Sequence, residues 1–172
     1  MHAGTQIGLR RRPLLWWNTR PATHAFPGSM FNPTRDQARQ FFIDTWAKRN
    51  SPQPLTQMEM LALTLMGRHP EYHSLLDQGE RALTREYPPE LGETNPFLHL
   101  SLHLAIEEQL AIDQPPGLRA AFEAQRARLG DEHEALHRVV DCLGETIWRA
   151  QRDRQPPDGA AYVACVRAGL DD

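Results

Sequence analysis

Six of the eight histidines in this 172-residue chain fall in pairs that are four positions apart. The pairs are His69 with His73, His99 with His103, and His133 with His137. Eight histidines scattered at random over the chain would give roughly 0.3 such pairs. On a helix, residues i and i+4 share one face, so two imidazoles at this spacing can reach the same metal ion. The spacing therefore indicates helical metal chemistry.

The second and third pairs each continue with a carboxylate four positions further on. One stripe is His99, His103 and Glu107, and the other is His133, His137 and Asp141. A carboxylate there could act as a third ligand or orient a histidine, although each step of four drifts by about 40° around the helix. If the two helices pack antiparallel, four nitrogens and two carboxylates could face each other. Such a set suits zinc, iron or manganese.

A structural explanation of these histidines competes with the metal site. A helical wheel places both pairs within or at the edge of an apolar face, where buried polar groups need partners. A metal ion is one such partner. A hydrogen-bond network between the histidines and nearby carboxylates is the other, and the sequence leaves both open.

His69 and His73 form the weaker pair and are additional ligand candidates. His69 precedes Pro70, which disfavours a helical conformation at His69. His69 would then begin a short helix with His73 one turn inside it, so a capping or surface role is the alternative for both residues.

The elements that would position these side chains are helices separated by prolines. The first four predicted segments run from Thr34 to about Asn50, from the Thr56–Glu59 capping box to Gly67, from Pro70 to before Gly79, and from Gly79 to Pro88. Two longer segments follow, from Asn95 to Asp113 and from Leu118 to about Asp153, the second with a bend at Gly130. A short helix containing Tyr162 is the last. No segment alternates as a strand does. The sequence predicts an all-α fold, a helical bundle with additional short helices and with Asn95–Asp113 and Leu118–Asp153 at its centre.

Residues 1–29 differ in composition from the rest of the chain. They mix arginine, tryptophan, proline and glycine without a sustained period, whereas a regular helical pattern begins after Met30. We expect residues 30–172 to form a single helical domain and residues 1–29 to be a tail or upstream sequence. The alternative is a genuine tail whose patch at residues 14–17 docks on the domain.

Charge and cysteine content narrow the function classes. The net charge of −3 disfavours nucleic acid as a partner, and no apolar run is long enough to cross a membrane. Cys142 and Cys165 do not have a metal or redox spacing and could pair only through the fold, so we expect no disulfide framework and a reducing compartment. The apolar run at residues 14–17 is too short for a signal-peptide core, which makes a cytoplasmic location the default expectation. Cys142 should lie opposite the histidine stripe and pack in the core.

Three segments resemble a known family. TNPFLHLSLHLAIEEQLAIDQPPGLRAAFE, HPEYH and GDEHEALH are similar to small bacterial proteins of domain-of-unknown-function family 1841. The resemblance extends from about Met30 to Arg167. It implies a bacterial source, and it implies no activity and no catalytic residues.

Two functional hypotheses follow from these patterns. The first is a metal-binding helical protein with His103 and His137 as the leading ligands, followed by His99 and His133. Were it an enzyme, a metal-bound water would support hydrolysis or redox chemistry. The second is a non-catalytic adaptor that binds a protein partner and whose histidines are structural. The sequence predicts neither a substrate nor an oligomeric state.

Overall fold

The structure is a computed structural model that describes residues 34–87 and 94–169. All the regular structure in these ranges is helical. The α-helices are α1 (Arg35–Lys48), α2 (Gln57–Gly67), α3 (His73–Leu76), α4 (Glu80–Leu83), α5 (Pro96–Ile112), α6 (Leu118–Leu129), α7 (Glu132–Asp153) and α8 (Gly159–Ala168). A 3-10 helix, Pro70–Tyr72, precedes α3. These described residues contain no strand, and the predicted all-α class is confirmed.

The helices begin at the residues that local chemistry favours. Thr34 and Thr56 each form a complete capping box, the first with Gln37 and the second with Glu59. The Asn95 side chain accepts hydrogen bonds from the first backbone amides of α5. A cap of this kind stabilises a helix by about 1 kcal/mol, because it satisfies amides that lack a partner within the helix.

The predicted long helix from Leu118 to Asp153 is two helices. Gly130 ends α6 with a φ of +69°, a left-handed conformation that glycine adopts without steric cost. The Asp131 carboxylate then caps α7 by accepting from the amides of His133 and Glu134. The chain therefore breaks at Gly130, where we predicted a bend, and α6 packs against α7.

The buried apolar residues form two clusters that share α5. Leu98, Leu102 and Ile106 of α5 pack with α6, α7 and α8 in the first cluster. Leu100 and Leu104 of α5 pack with α1 to α4 in the second. Because α5 contributes to both, it lies at the centre of the fold as predicted.

The two cysteines pair through the fold, which is the one route that their sequence spacing leaves open. Cys142 on α7 and Cys165 on α8 form a disulfide across 23 positions of sequence. The packing of α8 against α7 brings their Cα atoms to 5.8 Å, a proximity that sequence spacing does not reveal. Disulfides are typical of oxidising compartments, so the cysteine argument for a reducing compartment no longer holds. Cys142 is buried in the core, as expected.

Some predictions lie outside the described residues. These concern the segment 1–29, its patch at residues 14–17, and the helix end at Pro88 and Pro89. Within the described ranges, no helix has the length and apolar character needed to cross a membrane.

Candidate metal centre

Four histidines converge between α2, α5 and α7. His69, His99, His103 and His137 each present one ring nitrogen, and these four atoms all lie within 4.8 Å of one another. The Nε2 atoms of His69 and His103 are 3.3 Å apart, and those of His103 and His99 are 3.2 Å apart. The Nε2 atoms of His99 and His137 are 3.3 Å apart. We call these four side chains the histidine cluster.

Antiparallel packing of α5 against α7 brings together three of the four side chains. His99 faces His137, and one turn away the ring of His103 stacks over His133 at 5.7 Å between centroids. Residue numbers therefore increase along α5 in the direction in which they decrease along α7. The sequence left open whether these two helices pack antiparallel, and in the structure they do.

His69 reaches the histidine cluster from a different element. It lies between α2 and the 3-10 helix, and its backbone (φ −121°, ψ 66°) is outside the helical region, as expected for a residue before proline. Its side chain is only 1% exposed and caps no helix by a hydrogen bond. The capping or surface role considered for His69 is therefore wrong.

His73, the partner of His69 in sequence, lies apart from the histidine cluster. Its Nε2 is 2.8 Å from the carbonyl oxygen of Met66, and its ring packs against Trp46 with centroids 4.6 Å apart. The turn from the 3-10 helix into α3 separates the two rings, because the i, i+4 relation holds only along one regular helix.

The Nε2 separations match the edges of a tetrahedron around a metal ion. Zinc–nitrogen bonds of about 2.0–2.1 Å in tetrahedral geometry place ligand atoms about 3.3 Å apart. Right-angled ligands at the same bond length would lie about 2.9 Å apart. The three separations of 3.2–3.3 Å in the structure agree with the tetrahedral value.

Hydrogen bonds between the histidines can account for only part of the histidine cluster, because two bonds could pair all four Nε2 atoms but would leave the third contact without a hydrogen bond. Each Nε2 carries either one proton or one lone pair, so it forms at most one linear hydrogen bond with another ring. The Nε2 atoms of His99 and His103 each face two other Nε2 atoms. At most two of the three contacts can therefore be hydrogen bonds, whereas one cation would accept a lone pair from every ring.

Burial keeps His99 and His103 neutral, and the neutral imidazole is the form that binds metals. Desolvation, followed by repulsion from His69 and His137, lowers the pKa of His99 to about 3. Desolvation, followed by repulsion from His99 and His69, lowers the pKa of His103 to about 2. Both rings therefore remain uncharged at neutral pH.

His133 stays beside the histidine cluster without joining it. Its ring centroid is 4.3 Å from that of His137 and 4.7 Å from that of His69, yet it contributes no atom to the group of four nitrogens. Desolvation lowers the pKa of His133 as well. Its Nδ1 is buried and has no hydrogen-bond partner among the described residues.

The two carboxylates predicted to extend the histidine stripes are not among the group of close ligand atoms. Glu107 is half-buried and Asp141 is exposed, and neither offers an oxygen within the group of close ligand atoms. Each lies one further turn along its helix, a rise of about 6 Å combined with a rotation of about 40°. Desolvation raises the pKa of Glu107, against the opposing charge of Arg68.

A carboxylate that the sequence analysis did not single out does contact the histidine cluster. Glu71 Oε1 is 2.9 Å from Nδ1 of His69, and the ring of Tyr72 stacks on that of His69 at 5.3 Å and 17°. Desolvation is the largest single effect and favours the neutral Glu71, but the hydrogen bond from His69, a backbone hydrogen bond and the charges of His69 and His99 together lower the pKa of Glu71. The sequence signal for this contact is the segment HPEYH, in which Glu71 lies two positions after His69.

The histidine cluster lies where the two apolar clusters meet. His69 follows α2, which packs in the α1–α4 cluster, while His137 is on α7, which packs in the other. Beside them, Arg68 forms an ion pair with Glu132 at 3.2 Å. An ion held by all four rings would therefore link the two halves of the fold.

Comparison with known proteins supports the expected family and assigns no activity. The family model described as "Domain of unknown function (DUF1841)" matches residues 34–168, which is most of the chain. No curated protein and no solved structure matches the chain. The family expected from the sequence is confirmed.

Proposed function

We propose that this chain, which belongs to the DUF1841 family, binds one transition-metal ion through the histidine cluster. The observation that carries the proposal is the convergence of four imidazoles within 4.8 Å of one another, with three Nε2 separations of 3.2–3.3 Å. That spacing fits a tetrahedral ion, whereas a hydrogen-bond network leaves at least one of the three short contacts without a hydrogen bond.

The donor set favours a borderline ion over a hard one. Imidazole nitrogen suits zinc and iron, whereas magnesium and calcium prefer oxygen ligands. Four histidines complete the coordination of a tetrahedral zinc, as the four protein ligands of structural zinc sites do. The ion we propose therefore stabilises the junction between the two halves of the fold, and catalysis would require an ion that accepts further ligands.

Cobalt(II) substitution tests the proposed geometry in the full-length, untagged chain. Tetrahedral cobalt absorbs visible light much more strongly than octahedral cobalt, so the protein should turn blue as one equivalent is added. Zinc should then displace the cobalt and abolish the colour. A spectrum no stronger than that of cobalt in water would contradict the proposal.

Two single variants make the test specific to the histidine cluster. His103→Ala removes a ligand that lies at 0% exposure, and His73→Ala removes a histidine that bonds a carbonyl nearby. We expect the first to lose the cobalt signal and the second to keep it. Equal signals from both would favour the adaptor hypothesis, in which the histidines are structural and a chelator leaves protein stability unchanged.

A further inference from the structure

We infer that Glu71 is the positioning residue of the proposed metal site: its carboxylate holds His69 so that Nε2 points at the ion. This inference rests on the proposed function. It follows from the geometry of one ligand, because His69 differs from the other three in how its backbone is fixed.

The backbone alone does not fix the direction of the His69 ring. His99, His103 and His137 project from helices of 17 and 22 residues, whereas His69 precedes a 3-10 helix of three residues. The direction of the His69 ring therefore depends on its side-chain contacts. These include Glu71 at Nδ1 and the stacked ring of Tyr72.

The contact with Glu71 also selects the tautomer of His69. An ionised carboxylate only accepts hydrogen bonds, so Nδ1 of His69 must carry the proton at the 2.9 Å contact. In a neutral imidazole the lone pair is then on Nε2, the atom that lies 3.3 Å from Nε2 of His103. Such carboxylate–histidine pairs fix the orientation of metal ligands and increase their basicity.

Glu71 also supplies negative charge where the ligands supply none. Four neutral imidazoles leave the full charge of a divalent ion uncompensated. Neither Glu107 nor Asp141 offers an oxygen to the group, whereas Glu71 bonds a member of it directly. Glu71 is thus a carboxylate in direct contact with a member of the histidine cluster.

Zinc affinity of matched variants tests this role. Affinity would be measured by competition with a chromophoric chelator at pH 7.5 in the full-length chain. Removal of such an outer-shell partner typically weakens metal binding 10- to 100-fold, so we expect this loss in Glu71→Ala. Glu71→Gln should lose less, because its amide oxygen still accepts from Nδ1 while the charge is gone.

Glu132→Gln is the control for a general charge effect. Glu132 is also an exposed acid near the histidine cluster, but it pairs with Arg68 and Arg126 and with no histidine. We expect Glu132→Gln to bind zinc as the parent does, and the melting temperature of the metal-free Glu71 variants to match that of the metal-free parent.

The outcomes separate this inference from the proposed function. Parental zinc affinity in Glu71→Ala would overturn the positioning role and leave the metal site standing. An equal loss in Glu71→Ala and Glu132→Gln would also overturn it, because the effect would then be one of surface charge. A parent that binds no zinc would overturn both.

Discussion

The metal-free protein should lose stability when the pH falls below the ordinary pKa of histidine. His99 and His103 have pKa values of about 3 and about 2 in the folded chain, because they are buried beside other histidines. In the unfolded chain both titrate near 6.5. Between these values the unfolded state binds protons that the folded state refuses, so acid favours unfolding.

The size of this effect follows from the pKa difference. Each buried histidine lowers the free energy of unfolding by about 1.4 kcal/mol per pH unit once the pH is well below 6.5. At pH 5 the loss is about 2 kcal/mol for each, or about 4 kcal/mol for His99 and His103 together. A loss of this size is a large fraction of the stability of a typical domain.

Urea denaturation of chelator-treated protein between pH 7.5 and pH 5 measures the slope. This window lies above the usual range of carboxylate titration, so the slope reports mainly on histidine. His103→Gln should show a shallower slope than the parent. A free energy of unfolding that stays constant from pH 7.5 to pH 5 would refute the buried, neutral state of the histidine cluster.

Three further predictions concern the links that hold the helices together. Replacing Cys142 and Cys165 by serine should lower the free energy of unfolding by roughly 3 kcal/mol, measured by urea denaturation, because the disulfide closes a loop of 23 positions; an unchanged midpoint would contradict this. Glu59→Gln should destabilise the protein at pH 7 and match the parent near pH 2. Hydrogen bonds from Lys48 and then from Thr56 lower the pKa of Glu59 to about 2, and their contribution to stability is lost as acid protonates the carboxylate. A difference that persists at pH 2 would argue against the ion pair. Metal removal should speed amide hydrogen exchange at residues 68–73 more than in α6, measured by mass spectrometry, and equal changes in both would contradict a link through His69.

The helix starts were predictable because their causes are local. Thr34, Thr56 and Asn95 cap helices with residues three or fewer positions away, so sequence alone contains both partners of each bond. The break at Gly130 was harder to predict. Glycine also permits a bend, and only the packing of α6 against α7 selects a full reversal.

The metal-site candidates were predictable in part, because the spacing of four positions along one helix is also local. Periodicity placed His99 and His103 on one face, and it placed His137 on a face that could meet them. The inclusion of His69 depends on where the end of α2 packs, and the disulfide depends on where α8 packs, which no local spacing encodes. Glu107 and Asp141 lie outside the group of close ligand atoms because four more positions carry a side chain one further turn along its helix.

Metal content is the most direct test of the central claim that the histidine cluster holds an ion. It should be measured by mass spectrometry on the full-length chain without a histidine tag, beside the double variant His103→Ala/His137→Ala. We predict close to one zinc, iron or manganese ion per parent chain and almost none in the variant. Absence of metal from both proteins, together with failure of the parent to bind any of these ions when they are added, would contradict the claim.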